Sequence, residues 1–140
     1  RTEADGNSGI LIHADESTPK IAFNAPEIQI YAVGRRDPGI DHQAGALYAL
    51  YPAVKSAIRP PMLWNTTRVV CRGNRLKIWH NAALICDTVI GSDEWSRRIA
   101  DSKFRDSETF GKRSSGHIAL QDHGKKVWFR VVRLRSLVKT

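Results

Sequence analysis

Gly116, His117, Ile118, Ala119, Leu120, Gln121, Asp122, His123 and Gly124 follow one another in this sequence, with Val127, Trp128, Phe129 and Arg130 close behind. An apolar strand pattern runs here into an amide, a carboxylate and an imidazole beside a glycine turn. A strand end fixes the backbone while side chains reach an open rim, so Asp122 and His123 are placed for proton transfer or ligand binding. Earlier in the chain, Glu27 and Gln29 take alternate positions of Glu27-Ile28-Gln29-Ile30-Tyr31. Glu27 is the leading candidate for a general base or ligand, with a plain surface glutamate as the alternative. Asp122 and His123 read as a base and its partner, as divalent-cation ligands together with Glu27, or as a turn-stabilising aspartate and an exposed histidine. Gln121 shares the parity of His117 and points toward the polar face.

The elements that must position these groups are mostly strands. Period-2 alternation between turn residues marks eight of them, over residues 9–14, 27–33, 45–51, 66–72, 76–81, 83–89, 117–122 and 127–137. Gly73-Asn74 signals a tight turn, and Asp122-His123-Gly124-Lys125 signals a second hairpin. Residues 35–43, with Asp37-Pro38-Gly39, and residues 53–63, with Pro60-Pro61, read as rim loops. A short helix is expected over 93–104, capped by Ser92 or Asp93. Within the second strand Ile28 and Ile30 face the core, and Glu27, Gln29 and Tyr31 face the other way. Leu76, Ile78 and His80 share a face opposite Lys77 and Trp79. In the last strand a change of parity places a bulge near Arg130-Val131. These patterns predict an all-β sandwich of two antiparallel sheets with one polar, partly aromatic face. Tyr48 and Tyr51 have opposite parity, so one of the two reaches any site on that face.

A length of 140 residues fits one domain, with 41% hydrophobic and 26% charged residues. Apolar runs of a few residues fall short of the roughly 20 needed for a membrane-spanning helix. The net charge of +8 raises the question of nucleic acid. The basic residues are scattered, however, in groups such as Arg35-Arg36, Arg97-Arg98, Lys112-Arg113, Lys125-Lys126 and residues 130–139, without a zinc-finger, helix-turn-helix or RRM pattern. A solvated basic surface is the reading adopted, and an acidic polymer is a third-ranked partner. Cys71 and Cys86 fall on strands separated by a middle strand, about 9 to 10 Å apart, beyond the reach of a disulfide. Two free, packed thiols are expected.

Taken together, Gly6-Asn7-Ser8-Gly9-Ile10, Pro26-Glu27-Ile28-Gln29, Ala44-Gly45-Ala46-Leu47-Tyr48, Leu63-Trp64-Asn65, Trp79-His80-Asn81 and the stretch from Gly116 to Gly124 leading into Phe129-Arg130 resemble the 3-keto-disaccharide hydrolase domain family. The resemblance spans nearly the whole chain. It implies a concanavalin A-like jelly-roll sandwich in a secreted or periplasmic bacterial protein that handles sugars. It also implies activity on glycosides already oxidised at C3, by hydrolysis or by elimination followed by hydration. A C3 ketone acidifies the C2 hydrogen, so the chemistry needs a base, an acid near the leaving oxygen and a group that stabilises an enolate. Trp79-His80-Asn81-Ala82 stands where the family pattern has Trp-x-Asn-Gly, and Phe129-Arg130-Val131 where Phe-Arg-Asn is common. The family's strands ahead of the Asn-Ser-Gly motif are not in this sequence, so a sandwich incomplete at its N-terminal side is expected, with an oligomer as one way to complete it.

The resemblance turns the candidates into a site. Glu27, Asp122 and His123 are expected to be catalytic, with Glu27 and His123 as ligands if a divalent metal cation is the cofactor. Asn7, Gln29, Trp79, Gln121 and Arg130 are expected to bind the carbohydrate substrate, Trp79 by stacking on a pyranose ring, with core packing against the second sheet as the alternative for Trp79 and a structural ion pair as the alternative for Arg130. His13 is a further candidate for the same face. The competing reading is a noncatalytic carbohydrate-binding sandwich, which needs aromatic platforms and amides but no convergence of Glu27 with His123.

Overall fold

Alternation becomes six strands and one α-helix in the computed structural model, which describes residues 1–17, 21, 24–32 and 38–137. In chain order the strands are β1 (Asn7–Ala14), β2 (Glu27–Tyr31), β3 (Thr67–Arg72), β4 (Arg75–His80), β5 (Ala83–Val89) and β6 (His117–Leu120), with helix α1 (Asp93–Ala100) between β5 and β6. They form two antiparallel sheets, ordered β2-β1-β6 and β3-β4-β5. The expected end of the second strand at Val33, the Arg35-Arg36-Asp37 part of the first loop, and Lys139 lie outside the described residues.

The core lies where the apolar faces of the two sheets meet. Ile12 and Ile28 of one sheet join Leu76, Ile78 and Cys86 of the other, together with Leu47, Leu50 and Tyr51. Ile28, Leu47, Leu76 and Ile78 are fully buried, each contributing about 1.5–3 kcal/mol of transfer free energy. The strand order puts β4 between the two cysteines: Cys71 pairs with Leu76, Cys86 pairs with Ile78, and both thiols are free. Burial pushes the Cys86 thiol up to about 12, so it is a packing group.

The helix begins where its cap demands and ends earlier than expected. Ser92 Oγ accepts the Trp95 amide at 3.2 Å, while Asp93 and Glu94 in the first turn and Arg97 and Arg98 in the last match the helix dipole. Trp95 is buried and donates its indole N–H to Gly111 O. The helix stops at Ala100 rather than at Phe104 because the Ser102 hydroxyl donates to Ile99 O and accepts the Phe104 amide, a local arrangement that competes with the next helical turn.

Three expected elements take another form. Residues 45–51 are a turn rather than a strand: Gly45 and Ala49 have φ of +87° and +59°, and Leu47 bridges both Ile28 and Tyr51. The turn still follows the edge of β2, since Gly45 N donates to Gln29 O, Gln29 N to Ala46 O and Tyr48 N to Glu27 O. Its apolar positions at 47, 50 and 51 suit a folded-back segment that buries all three side chains. Residues 122–125 do not form a hairpin either. Both β6 and Val127 pair with the same N-terminal segment, β6 with β1 and Val127 with Thr2, so the 122–125 turn is an excursion along one path. Beyond Val127 no strand forms among the described residues. Val131 turns to φ +54°, and Val132 and Leu134 stay 74% and 84% exposed. Alternation supplies two faces, but a strand needs a neighbouring backbone along its length; the N-terminal backbone meets this segment at Trp128, which exchanges hydrogen bonds with Arg1, and no ladder continues past it among the described residues.

The β4–β5 turn explains why two sequence motifs matter. Asn81 and Ala82 both adopt positive φ, +46° and +70°, as a two-residue primed turn requires. The Asn81 amide donates to Ala57 O at 2.7 Å and Asn65 Oδ1 at 2.6 Å, and its oxygen accepts the Thr66 amide at 2.9 Å. Trp64-Asn65 and His80-Asn81 are thus tied together structurally. His80 faces inward beneath Gly45, where a Cβ would fall 2.5 Å from the ring. Burial holds the imidazole down at about 4, and its Nε2 has no partner among the described residues.

Candidate active site

The polar face of the β2-β1-β6 sheet carries the site. Glu27 sits opposite Leu11, Gln29 opposite Gly9 and Tyr31 opposite Asn7, so Asn7, Glu27 and Gln29 project to one side. Gln121, just past β6, donates its amide to Gly9 O and accepts the Ser8 hydroxyl at 2.7 Å, which joins it to the same surface. Gly9 makes room for the carboxylate. A Cβ built there would lie 1.8 Å from Glu27 Oε1, so the glutamate folds across β1 where a larger residue would stand.

A pocket of about 200 Å³ opens over these residues. Its floor is Asn7, Glu27, Gln29 and Gln121, and its walls are Tyr48, Lys103, Phe104 and His123. The volume is below the ~300–1,000 Å³ of clefts for drug-sized ligands. Glu27 is 8% exposed, and this burial raises its carboxyl to about 7, against the opposing pull of Lys103 and His123. Asn7 Oδ1 is buried without a hydrogen-bond partner among the described residues, an acceptor left open beside the pocket. The Gln29 side-chain oxygen accepts the Ile30 amide at 3.2 Å, which leaves its NH₂ group as the end able to donate.

Five of the sequence candidates line this pocket together: Asn7, Glu27, Gln29, Gln121 and His123. The others lie elsewhere. Asp122 Oδ1 accepts the Gly124 amide at 2.9 Å and holds the turn that presents His123. Trp79 faces away from the core-lining Leu76 and Ile78, with the Arg68 guanidinium 5.1 Å from its ring. Arg130 stacks on Trp64 at 3.9 Å. His13 sits at a β1 irregularity with φ +55°, its Nδ1 3.0 Å from Arg113 O. Of the two tyrosines, Tyr48 lines the pocket, and Tyr51 is buried with its hydroxyl bonded to Thr88 and Glu94.

Sequence reasoning missed Lys103 and Phe104. The expected helix ran through both and gave them no reason to turn toward a strand surface. The available signal was the lone aromatic Phe104 inside the charged stretch 101–108. For a divalent cation, Glu27 and His123 offer one carboxylate and one imidazole, and no group of three or more His, Cys, Asp or Glu able to hold a metal converges among the described residues. With an ammonium also on the wall, these side chains do not make a cation's ligand set.

Fold and pocket together define a two-sheet β-sandwich with an amide-lined cleft around one buried carboxyl group. Residues 1–135 match the 3-keto-alpha-glucoside-1,2-lyase-like domain, and the chain belongs to that family. A 3-keto-disaccharide hydrolase of Bacteroides thetaiotaomicron is 26% identical over 157 aligned positions, covering 94% of this chain and 54% of the relative. A Parabacteroides distasonis protein provisionally named a glycosyl hydrolase superposes with a TM-score of 0.79 at 26% identity, over 89% of this chain and 61% of that one. A second provisionally named glycosyl hydrolase from the same organism gives 0.57 at 23% identity, over 64% and 47%, a likeness of fold. The chain therefore spans a little over half the length of its curated relative.

Proposed function

We propose that this pocket cleaves glycosides whose sugar carries a ketone at C3. The observation that carries the reading is a glutamic acid made basic by burial, in a pocket whose other groups are amides, an imidazole and a cation. Family membership supports it. A carboxyl group near 7 is half ionised at neutral pH and a far better proton acceptor than one at 4.5.

Asn7, Gln29 and Gln121 hold the ring through its hydroxyls. Glu27 takes the C2 proton, made acidic by the adjacent ketone, and the electron pair passes into an enolate. Collapse of the enolate forms a C1–C2 double bond and breaks the bond from C1 to the leaving oxygen, which His123 protonates. Water then adds at C1, giving up a proton to His123, as Glu27 returns its proton to C2, so both groups are restored and the net result is hydrolysis.

The test is incubation of the chain and its Glu27→Gln variant with a 3-keto-glucoside, following release of the aglycone. The expected result is turnover by the parent chain and at least a ~10²-fold loss in the variant, the usual scale for removing a general base. Equal rates would remove Glu27 from the mechanism. Tight binding by both proteins with no turnover would favour a noncatalytic sugar-binding module.

A further inference from the structure

Taking a proton from C2 of a 3-keto sugar leaves negative charge on the C3 oxygen, and a fixed positive group or donor at that oxygen is the largest single aid an enzyme can supply. Lys103 is the one lysine or arginine lining the pocket. Its ammonium rests 4.0 Å from the centre of the Tyr48 ring and 5.2 Å from that of Phe104. Among the described residues no ion pair closes it onto Glu27. Aromatic faces attract a cation without neutralising it, so the charge is held at the wall and kept available.

The backbone that carries Lys103 is anchored on both sides. Ser102 is buried and holds the turn after α1 through Ile99 O and the Phe104 amide. Phe104 is buried and stacked on Phe110, with ring centres 3.7 Å apart and planes 7° from parallel. Only the side chain between them is exposed. A charged group on a pinned backbone, beside a carboxylate on a sheet, is how a preorganised site separates its base from its electrophile.

We propose that Lys103 is a catalytic residue that donates a hydrogen bond from its ammonium to the C3 carbonyl oxygen and stabilises the enolate formed when Glu27 takes the C2 proton. This rests on the 3-keto-glycoside reading of the pocket. The step balances within the pocket: the C2–H pair becomes the C2–C3 double bond, the carbonyl π pair moves onto oxygen, and the proton resides on Glu27. Lys103 also sets specificity. A C3 alcohol develops no charge there, so the contact favours the oxidised sugar only as the reaction proceeds.

Three proteins decide the matter: the parent chain, Lys103→Met and Lys103→Arg, each assayed for turnover of a 3-keto-glucoside and for exchange of its C2 hydrogen in deuterated water. Binding of the matching C3-alcohol glucoside is measured alongside. The expected result for Lys103→Met is a kcat loss of about 10²–10³-fold with little change in KM. C2 exchange should slow in parallel, and alcohol binding should stay at the parent level. Lys103→Arg is expected to recover part of both rates. Parent turnover with an equally active Lys103→Met overturns the role of Lys103 alone. No parent turnover overturns the reading of the pocket, and the role with it.

Discussion

Replacing Glu27 by glutamine tests its burial through stability, independently of any substrate. The folded-state carboxyl is raised from 4.5 to about 7 by desolvation, so the native protein holds this proton more tightly than the unfolded chain. The stabilisation is fully present below pH 4.5 and is lost as pH rises through 7. At 1.36 kcal/mol per pH unit the loss totals about 3 kcal/mol by pH 8. His80 works in the opposite direction. Its folded pKa is lowered from 6.5 to about 4, so stability falls as pH drops from 6.5 toward 4, by a similar ~3 kcal/mol. Between pH 4.5 and 6.5 the two slopes oppose each other, and the parent protein should vary little on their account. Glu27→Gln removes one of them. Urea unfolding across pH 4.5–8 should therefore show the variant gaining on its parent by about 3 kcal/mol from the acid to the alkaline end. With a urea m-value of about 1–3 kcal/mol/M, that is a relative midpoint shift of about 1 M or more. Taking the difference between the two proteins cancels every other titrating group, including His80. A difference constant to within about 0.5 kcal/mol over this range would show that the Glu27 carboxyl is not raised, and would remove the physical basis for its use as a base near neutrality.

Two further substitutions probe how the site and its scaffold are built. Gly9→Ala places a methyl where the Glu27 carboxylate lies, so the carboxylate must move toward solvent; its pKa should fall toward 4.5 in an NMR titration, and overpacking should cost about 1–3 kcal/mol in denaturant unfolding. Ala82→Gly relieves the φ of +70° in the β4–β5 turn and should stabilise the fold by about 1–2 kcal/mol, seen as a higher Tm with pocket chemistry unchanged.

The parts legible in the sequence were those set by local period. Alternation in Glu27-Ile28-Gln29-Ile30-Tyr31 placed Ile28 in the core and Glu27 and Gln29 on one polar face, because side chains on a strand can point only two ways. The Ser92-Asp93 pair announced the start of α1, of which Ser92 is the cap, and the Gly73-Asn74 turn joined β3 to β4. The strand count also separated Cys71 from Cys86 without coordinates. Where a partner was required, local pattern misled. Residues 45–51 and 127–137 both alternate well enough for strands, yet the first folds back on Leu47 and the second meets the N-terminal backbone at Val127 and Trp128 without extending into a ladder among the described residues.

By itself, then, the sequence determined the two-sheet class, the faces of its strands and the residue types from which a pocket could be assembled. Tertiary structure decided which of them meet. Gly9 lies under Glu27 because β1 and β2 pair in one register; Tyr48 reaches the pocket because its turn follows the edge of β2; Lys103 reaches it because Ser102 ends α1 one turn early. Asp122 and His123 are neighbours in sequence, yet one carboxylate stays in its turn while the imidazole lines the pocket. Period and propensity act over a few residues, whereas a pocket is made by groups about a hundred residues apart, and only the packed chain specifies their approach.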